Sequence, residues 1–364
     1  MKKNTLRLFI AGILVLVVVL SGCEMIFPPT IYESTPTKVS YDISYGYRVN
    51  ATGSERYEIE YWCDTPEVLV GTTIYDLLYN NEYQTKTLVN NTFIRWNISG
   101  KDEQTYELGL TAQVECESYL VADLNGKDAL TIQEISDMHP EIVNHYTRLQ
   151  ANETTRFIDP YNPNITAIAE TVYTNANTNN SFLLAKTLFV WLKENIQYQT
   201  HPNEEGVRPA AITLYNKGGD CDDLSFLYVS LCRVLGIPAR FIRGYLLTEY
   251  DNGTAIATAH AWVEVFVGGS VGHNGWIPVE CACCTKSIET DINQNFGVES
   301  AFHLRLFVDD GSNESLAASF SGISYVTHGL NRTIELQLFA EIRNYQELEL
   351  KKLVVTGENT RYYE

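Results

Sequence analysis

The sequence predicts an α+β fold in which a core of helices plus antiparallel sheet is preceded by a β-sandwich-like domain and followed by a β-rich extension. Three observations carry this. Apolar residues alternate with polar ones from about residue 40 to 122, recur at threes and fours from about 165, and return to strand-like runs after 240. At 364 residues the chain exceeds what one core ordinarily holds, so several packed units are expected. Hydrophobic residues at 45% against charged residues at 20% supply the apolar surface to fold them.

The first segment reads as an export signal: Lys2, Lys3 and Arg7 flank the apolar run 8–20, which is too short for an ordinary membrane span. Leu20-Ser21-Gly22-Cys23 resembles the lipobox of prokaryotic lipoproteins, which implies cleavage after residue 22 and a lipid on Cys23. Residues 1–22 are therefore expected to be a signal peptide, and Cys23 a lipid anchor on the extracellular face of the membrane. An uncleaved anchor gives the same location. Residues 23–40, with Pro28, Pro29 and Pro36 among Ser and Thr, have the composition of a tether.

Residues 41–160 are expected to form the N-terminal β-rich domain. Tyr57, Ile59, Tyr61 and Cys63 alternate with Glu58 and Glu60, and 106–116 alternates likewise, as in half-buried antiparallel sheet. Cys63 and Cys116 both fall on apolar parity, which fits an inter-strand disulfide or two buried free thiols. Asp123-Leu124-Asn125-Gly126 with Glu134 has the end carboxylates of a calcium loop, but Lys127 and Asp128 stand where a ligand and a glycine belong. A turn followed by a capping box from Thr131 to Glu134 is the better reading.

Residues 161–300 form the expected core. Phe182, Ala185, Phe189, Leu192 and Ile196 make one helical stripe; Leu224, Leu227, Tyr228, Leu231 and Leu235 make another, stopped by Gly236-Ile237-Pro238. Strand-like runs follow at 240–247, 260–267 and 276–281. Residues 301–364 are the β-rich extension, with strands over 333–339 and 348–356.

The chemistry concentrates where a glycine-rich loop meets a helix start, at Gly218-Gly219-Asp220-Cys221-Asp222-Asp223. Unpaired backbone N–H groups and the positive end of the helix dipole favour thiolate over thiol there. Gly219 lets a substrate carbonyl approach closely, and the Cys221 amide can donate to an oxyanion. Asp222 and Asp223 oppose the thiolate, so a histidine must supply much of the activation. His260 opens an alternating run to Phe266, and Gly275-Trp276-Ile277-Pro278-Val279-Glu280 follows a short loop. If the two runs pair antiparallel, His260 and Glu280 share a face, opposite or diagonal, and the carboxylate orients the imidazole.

Together these residues resemble the transglutaminase-like superfamily of papain-like cysteine enzymes. The resemblance rests on Gly219, Asp220, Cys221 and Asp223, on Leu-Gly-Ile-Pro-Ala-Arg at 235–240, and on His-Ala-Trp-Val-Glu-Val at 260–265, in order over about 165–300. It implies a papain-like core with Cys221 as nucleophile, His260 as base and the third member at Glu280, where the family usually carries aspartate. Trp262 and Trp276 are candidates to line a substrate groove, with core packing an equal alternative. The implied activity is acyl transfer on amide bonds through a thioester, by a peptidase, amidase or transglutaminase. The competing class is a catalytically silent envelope-binding module.

Other features bound the partners. Removing residues 1–22 takes away three basic residues and leaves a net charge of −22, which disfavours nucleic acid and anionic headgroups. A protein or peptide substrate at the envelope is expected, with no metal or other cofactor. Nine Asn-X-Ser/Thr sequons, beginning at Asn50, Asn90, Asn97, Asn152, Asn164, Asn179, Asn252, Asn313 and Asn331, fit a glycosylated surface. Cys281, Cys283 and Cys284, with His273, lack the spacing of a zinc site, so disulfides or free thiols are expected; Cys232 reads as a core thiol. His139, His145, His201, His303 and His328 carry no partner pattern and are read as structural or surface residues.

Overall fold

The computed structural model describes residues 28–68, 71–152, 154–200, 207–249, 255–282, 285, 287–357 and 360–364. The signal segment, Cys23, His201, Cys283 and Cys284 lie outside these residues. Among the described residues no helix is long and apolar enough to cross a membrane.

Strand Thr30–Gly53 pairs antiparallel with Arg332–Thr356 over nearly its whole length, from Thr30 against Val355 to Gly53 against Arg332. Among the described residues these two sit in a five-stranded sheet with Gln104–Glu117, Thr72–Tyr79 and Thr360–Tyr363. A second sheet of Tyr57–Asp64, Asn91–Gly100, Gln84–Leu88 and Ile323–Thr327 faces it. Val39, Ile43, Ile59, Trp96 and Leu110 fill the space between, and the Tyr47 and Tyr61 rings meet edge-on across it at 5.2 Å. The expected sandwich is present, but 41–160 and 301–364 are not separate units: both ends of the chain build it. Nor is 23–40 a tether throughout, since the strand begins at Thr30 and Val39 is fully buried. Pro36 sits at a register shift, where its missing N–H breaks no regular ladder bond.

The possible disulfide does not form. Cys63 and Cys116 belong to different sheets and are free, and burial pushes their thiols up to about 12 and about 11. Cys116 Sγ lies 3.5 Å from the Tyr41 hydroxyl, and Cys63 Sγ donates to Asp64 O. Shared parity put both on a buried face without making them neighbours.

The core sheet orders Trp276–Val279, Ala255–Phe266, Ala239–Glu249 and His303–Val308. Its last strand comes from the segment assigned to the C-terminal extension. Helices Pro163–Ala176, Ser181–Asn195 and Cys221–Val234 pack together, and the third lies against Ala255–Phe266. That third helix is buried from Asp223 to Arg233, with Tyr228 donating to Ala185 O at 2.9 Å. Gly236, at φ +75°, turns the chain out of it while Ile237 N–H caps Cys232 O at 3.0 Å, and Pro238 prevents its continuation. The 123–126 turn leads into the expected capping box, with Glu134 N–H donating to Thr131 Oγ1 and Thr131 N–H donating to the Glu134 carboxylate.

Arg361, on the last strand, is fully buried and donates to the carbonyls of Val121, Ile292, Asn293, Phe296 and Gly297. It thereby covers the C-terminal end of helix Ile288–Asn295, where a cation complements the dipole. Replacing Arg361 by methionine strands these carbonyls, and we expect a loss of roughly 3 kcal/mol in denaturant unfolding at unchanged m-value.

Candidate active site

Cys221 is the first residue of its helix and is half-buried. Two short strands, Gln197–Tyr198 and Gly218–Gly219, pair in parallel just before it and fix the approach of the loop. Gly219 is required there: a Cβ would lie 2.5 Å from the Asp223 side chain. Asp223 occupies that space because it turns back to accept the Asp220 N–H at 3.1 Å and pairs with Arg208. The two acidic residues expected to oppose a thiolate are thus offset differently. Asp223 is neutralised by a guanidinium. Burial, then the neighbouring Asp220 and Asp223, push Asp222 up to about 8, which weakens its opposition to a thiolate.

His260 comes from the middle of strand Ala255–Phe266 and Glu280 from the residue after strand Trp276–Val279. Val263 stands opposite Val279, so continuing the register sets Glu280 across from Trp262 and diagonal to His260. The diagonal is closed by a 2.6 Å hydrogen bond between His260 Nε2 and Glu280 Oε2. With Nε2 engaged, Nδ1 is the ring nitrogen left for the Cys221 thiol, which lines the same cavity and helps to raise the ring's pKa. Burial alone would lower the imidazole pKa, but the Glu280 charge and the bonds to Cys221 and Glu280 override it and push His260 up to about 10. The converse holds for Glu280: burial opposes its charge, yet His260 and then His303 hold it well below the usual carboxylate range. The fold thus brings all three sequence-derived residues to one cavity, with a direct hydrogen bond between His260 and Glu280.

A cavity of about 450 Å³ opens over this trio, with Tyr198, Leu246, Thr248, Thr258 and Val298 on its walls. Neither tryptophan lines it. Trp262 is buried beneath the site, its ring stacked 5.9 Å from His260 and its Nε1 donating to Glu299 at 3.0 Å. Glu299 in turn pairs with Arg305, which also pairs with Glu264, so a buried charge network braces that indole. Trp276 packs against Phe266, Tyr146 and the Arg240 guanidinium. Both are packing residues because each alternates onto an interior face.

Residues 166–281 match the family model described as the transglutaminase-like superfamily. The chain carries a transglutaminase-like domain. The match spans the helix bearing Cys221 and the strands bearing His260 and Glu280, and the superfamily is one of cysteine-dependent enzymes. Two curated relatives share this domain: an uncharacterized protein of Mycobacterium leprae, ML0607, is 26% identical over 114 residues, 30% of this chain and 39% of its own. YebA of Bacillus subtilis, also uncharacterized, is 32% identical over 106 residues, 27% of this chain and 13% of its own. The chain thus spans less than half the length of the curated relatives it matches. In fold, it is similar to a crystal structure described as a candidate cysteine protease from Cytophaga hutchinsonii, with a TM-score of 0.52, 14% identity, and coverage of 91% of this chain and 100% of that one. The flanking sandwich accordingly belongs to the shared fold along with the transglutaminase-like domain.

Sequence reasoning passed over two residues of the transglutaminase-like site. Tyr198 reaches the cavity because its short strand pairs with Gly219. His303, read as structural or surface, is buried with its Nε2 3.2 Å from Glu280 Oε2. The available signal was the alternation of 303–308, which marks a strand of the core. Cys232 is a buried free thiol, as expected of a core cysteine, and Cys281 is also buried and free, one of the two states expected of it.

Proposed function

We propose that this protein is a cell-surface, cysteine-dependent acyl-transfer enzyme acting on amide bonds of proteins or peptides. The observation that carries the proposal is that Cys221, His260 and Glu280 meet at one open cavity, with Glu280 bonded to the ring that Cys221 adjoins. The Cys221 thiolate attacks the amide carbonyl carbon, and the oxyanion that forms is met by the Cys221 N–H, which has no acceptor within its own helix. The His260 imidazolium gives its Nδ1 proton to the departing amine as the C–N bond breaks, leaving a thioester. A water or a second amine then gives a proton to His260 while attacking the thioester carbon, and Cys221 leaves as thiolate. Glu280 holds the ring in place through both halves. The export signal and Cys23 motif support a location on the outer face of the membrane, where envelope proteins are the substrates in reach.

The test is incubation of the ectodomain with a labelled primary amine and mixed envelope peptides, followed by mass spectrometry. Release of ammonia or peptide fragments identifies a hydrolase, and mass gain by the amine identifies a transferase; either must vanish with Cys221→Ala. Absence of both, with no acyl adduct on Cys221, supports a silent binding module instead.

A further inference from the structure

Glu280 answers to two histidines. Its Oε1 accepts the Ala282 N–H at 2.7 Å, and its Oε2 is shared by His260 Nε2 at 2.6 Å and His303 Nε2 at 3.2 Å. An ionised carboxylate only accepts, so both ring nitrogens must carry hydrogen. On its other side His303 Nδ1 lies 2.9 Å from Ser300 Oγ, and its ring stands edge-on to Trp262 at 4.7 Å. His303 with hydrogen on Nε2 meets both contacts: Nε2–H donates to Glu280, and Nδ1 pairs with the Ser300 hydroxyl, which can give or accept a hydrogen bond. The ring is 8% exposed, so these bonds are not traded for water.

We propose that His303 is a positioning residue for the Cys221–His260–Glu280 trio. It fixes the Glu280 carboxylate in charge and direction so that Oε2 lies where the His260 N–H points. The inference rests on the reading of His260 as the acid–base partner of Cys221. Glutamate has a torsion more than aspartate, and an unclamped terminal carboxylate turns freely about it. The Ala282 amide and His303 together hold both oxygens, which lets a longer side chain serve as the orienting acid. Strand pairing delivers the clamp: His303 stands opposite Leu246 on the neighbouring strand, in a wall of the same cavity.

Two effects of removing His303 oppose each other, which gives the test its sign. Loss of a competing donor strengthens Oε2 as an acceptor and raises the His260 pKa. Loss of orientation weakens the His260–Glu280 bond and lowers it. The positioning role requires the second to win. The experiment follows the imidazole titration of His260 by NMR in protein carrying ring-labelled histidine, with His303→Leu and His303→Gln beside the wild type. In His303→Leu the midpoint is expected to fall by about one pH unit or more, a tenfold change in imidazolium stability. His303→Gln, whose amide N–H can donate to Glu280, is expected to recover most of that shift. An unchanged or raised midpoint in His303→Leu, or no recovery in His303→Gln, overturns the proposal. If His303→Leu does not fold, Ser300→Ala, which releases the far side of the ring, must lower the midpoint in its place. Failure of the underlying reading shows separately, as a wild-type His260 titrating at its ordinary value.

Discussion

Cys221→Ser is expected to fold normally and to lose turnover by on the order of 10³-fold or more, measured as product release at pH 7. The reason lies in His260. A serine nucleophile needs a neutral imidazole to take its proton, but the Glu280 charge raises the His260 pKa and so favours the imidazolium. Such a ring cannot deprotonate a hydroxyl. A thiol gives up its proton far more readily than an alcohol, so such a ring can serve sulfur where it cannot serve oxygen. The same charge state supplies the proton needed by the leaving amine. Cys221 lies at the half-buried start of its helix, so exchanging sulfur for oxygen leaves the packed segment from Asp223 to Arg233 unchanged.

Glu280→Gln is the second large effect. The Glu280 charge is the leading contribution that raises His260, against a burial that lowers it. Removing the charge leaves burial opposed mainly by Cys221, so the His260 midpoint should fall well below about 10. The alkaline limb of the rate profile moves down with it, and turnover at pH 8 falls by on the order of 10²–10⁴-fold. Stability follows the same sign. A histidine whose folded pKa is raised adds stability that is fully present below its unfolded value and is lost as pH rises through the folded one. Wild type should therefore lose stability as pH climbs toward 10, and Glu280→Gln should lack that dependence, as thermal unfolding across pH would show.

Much of this site was legible because its signals are local. The Gly-Asp-Cys junction marks a helix start by its glycines and capping residues, and the alternation of 260–266 and 276–280 set the face that His260 and Glu280 share. Their diagonal pairing followed from a hairpin, whose register depends on one short loop. What was hidden depends on pairing across long stretches of chain. His303 acquires a role only because 303–308 lies beside 239–249, on the other side from the hairpin. Thr30–Gly53 and Arg332–Thr356 join opposite ends of the chain, so composition alone suggested a tether and an extension where there is one sandwich. Parity told which face Cys63, Cys116, Trp262 and Trp276 occupy, but not what stands across from it. The charges inside apolar runs, Glu264 and Arg305, were a further unread signal: a buried charge implies a partner, and these two pair with each other.

The proposed chemistry depends on one interaction, the pairing of the Cys221 thiol with the His260 ring. Its most direct measurement is the rate of alkylation at Cys221 across pH, read by peptide mass spectrometry in wild type and His260→Ala; Cys63, Cys116, Cys232 and Cys281 are buried and should stay silent. The expected result is a Cys221 that is alkylated on the order of tenfold faster in wild type than in His260→Ala at neutral pH and below. Superimposable profiles for the two proteins would contradict it.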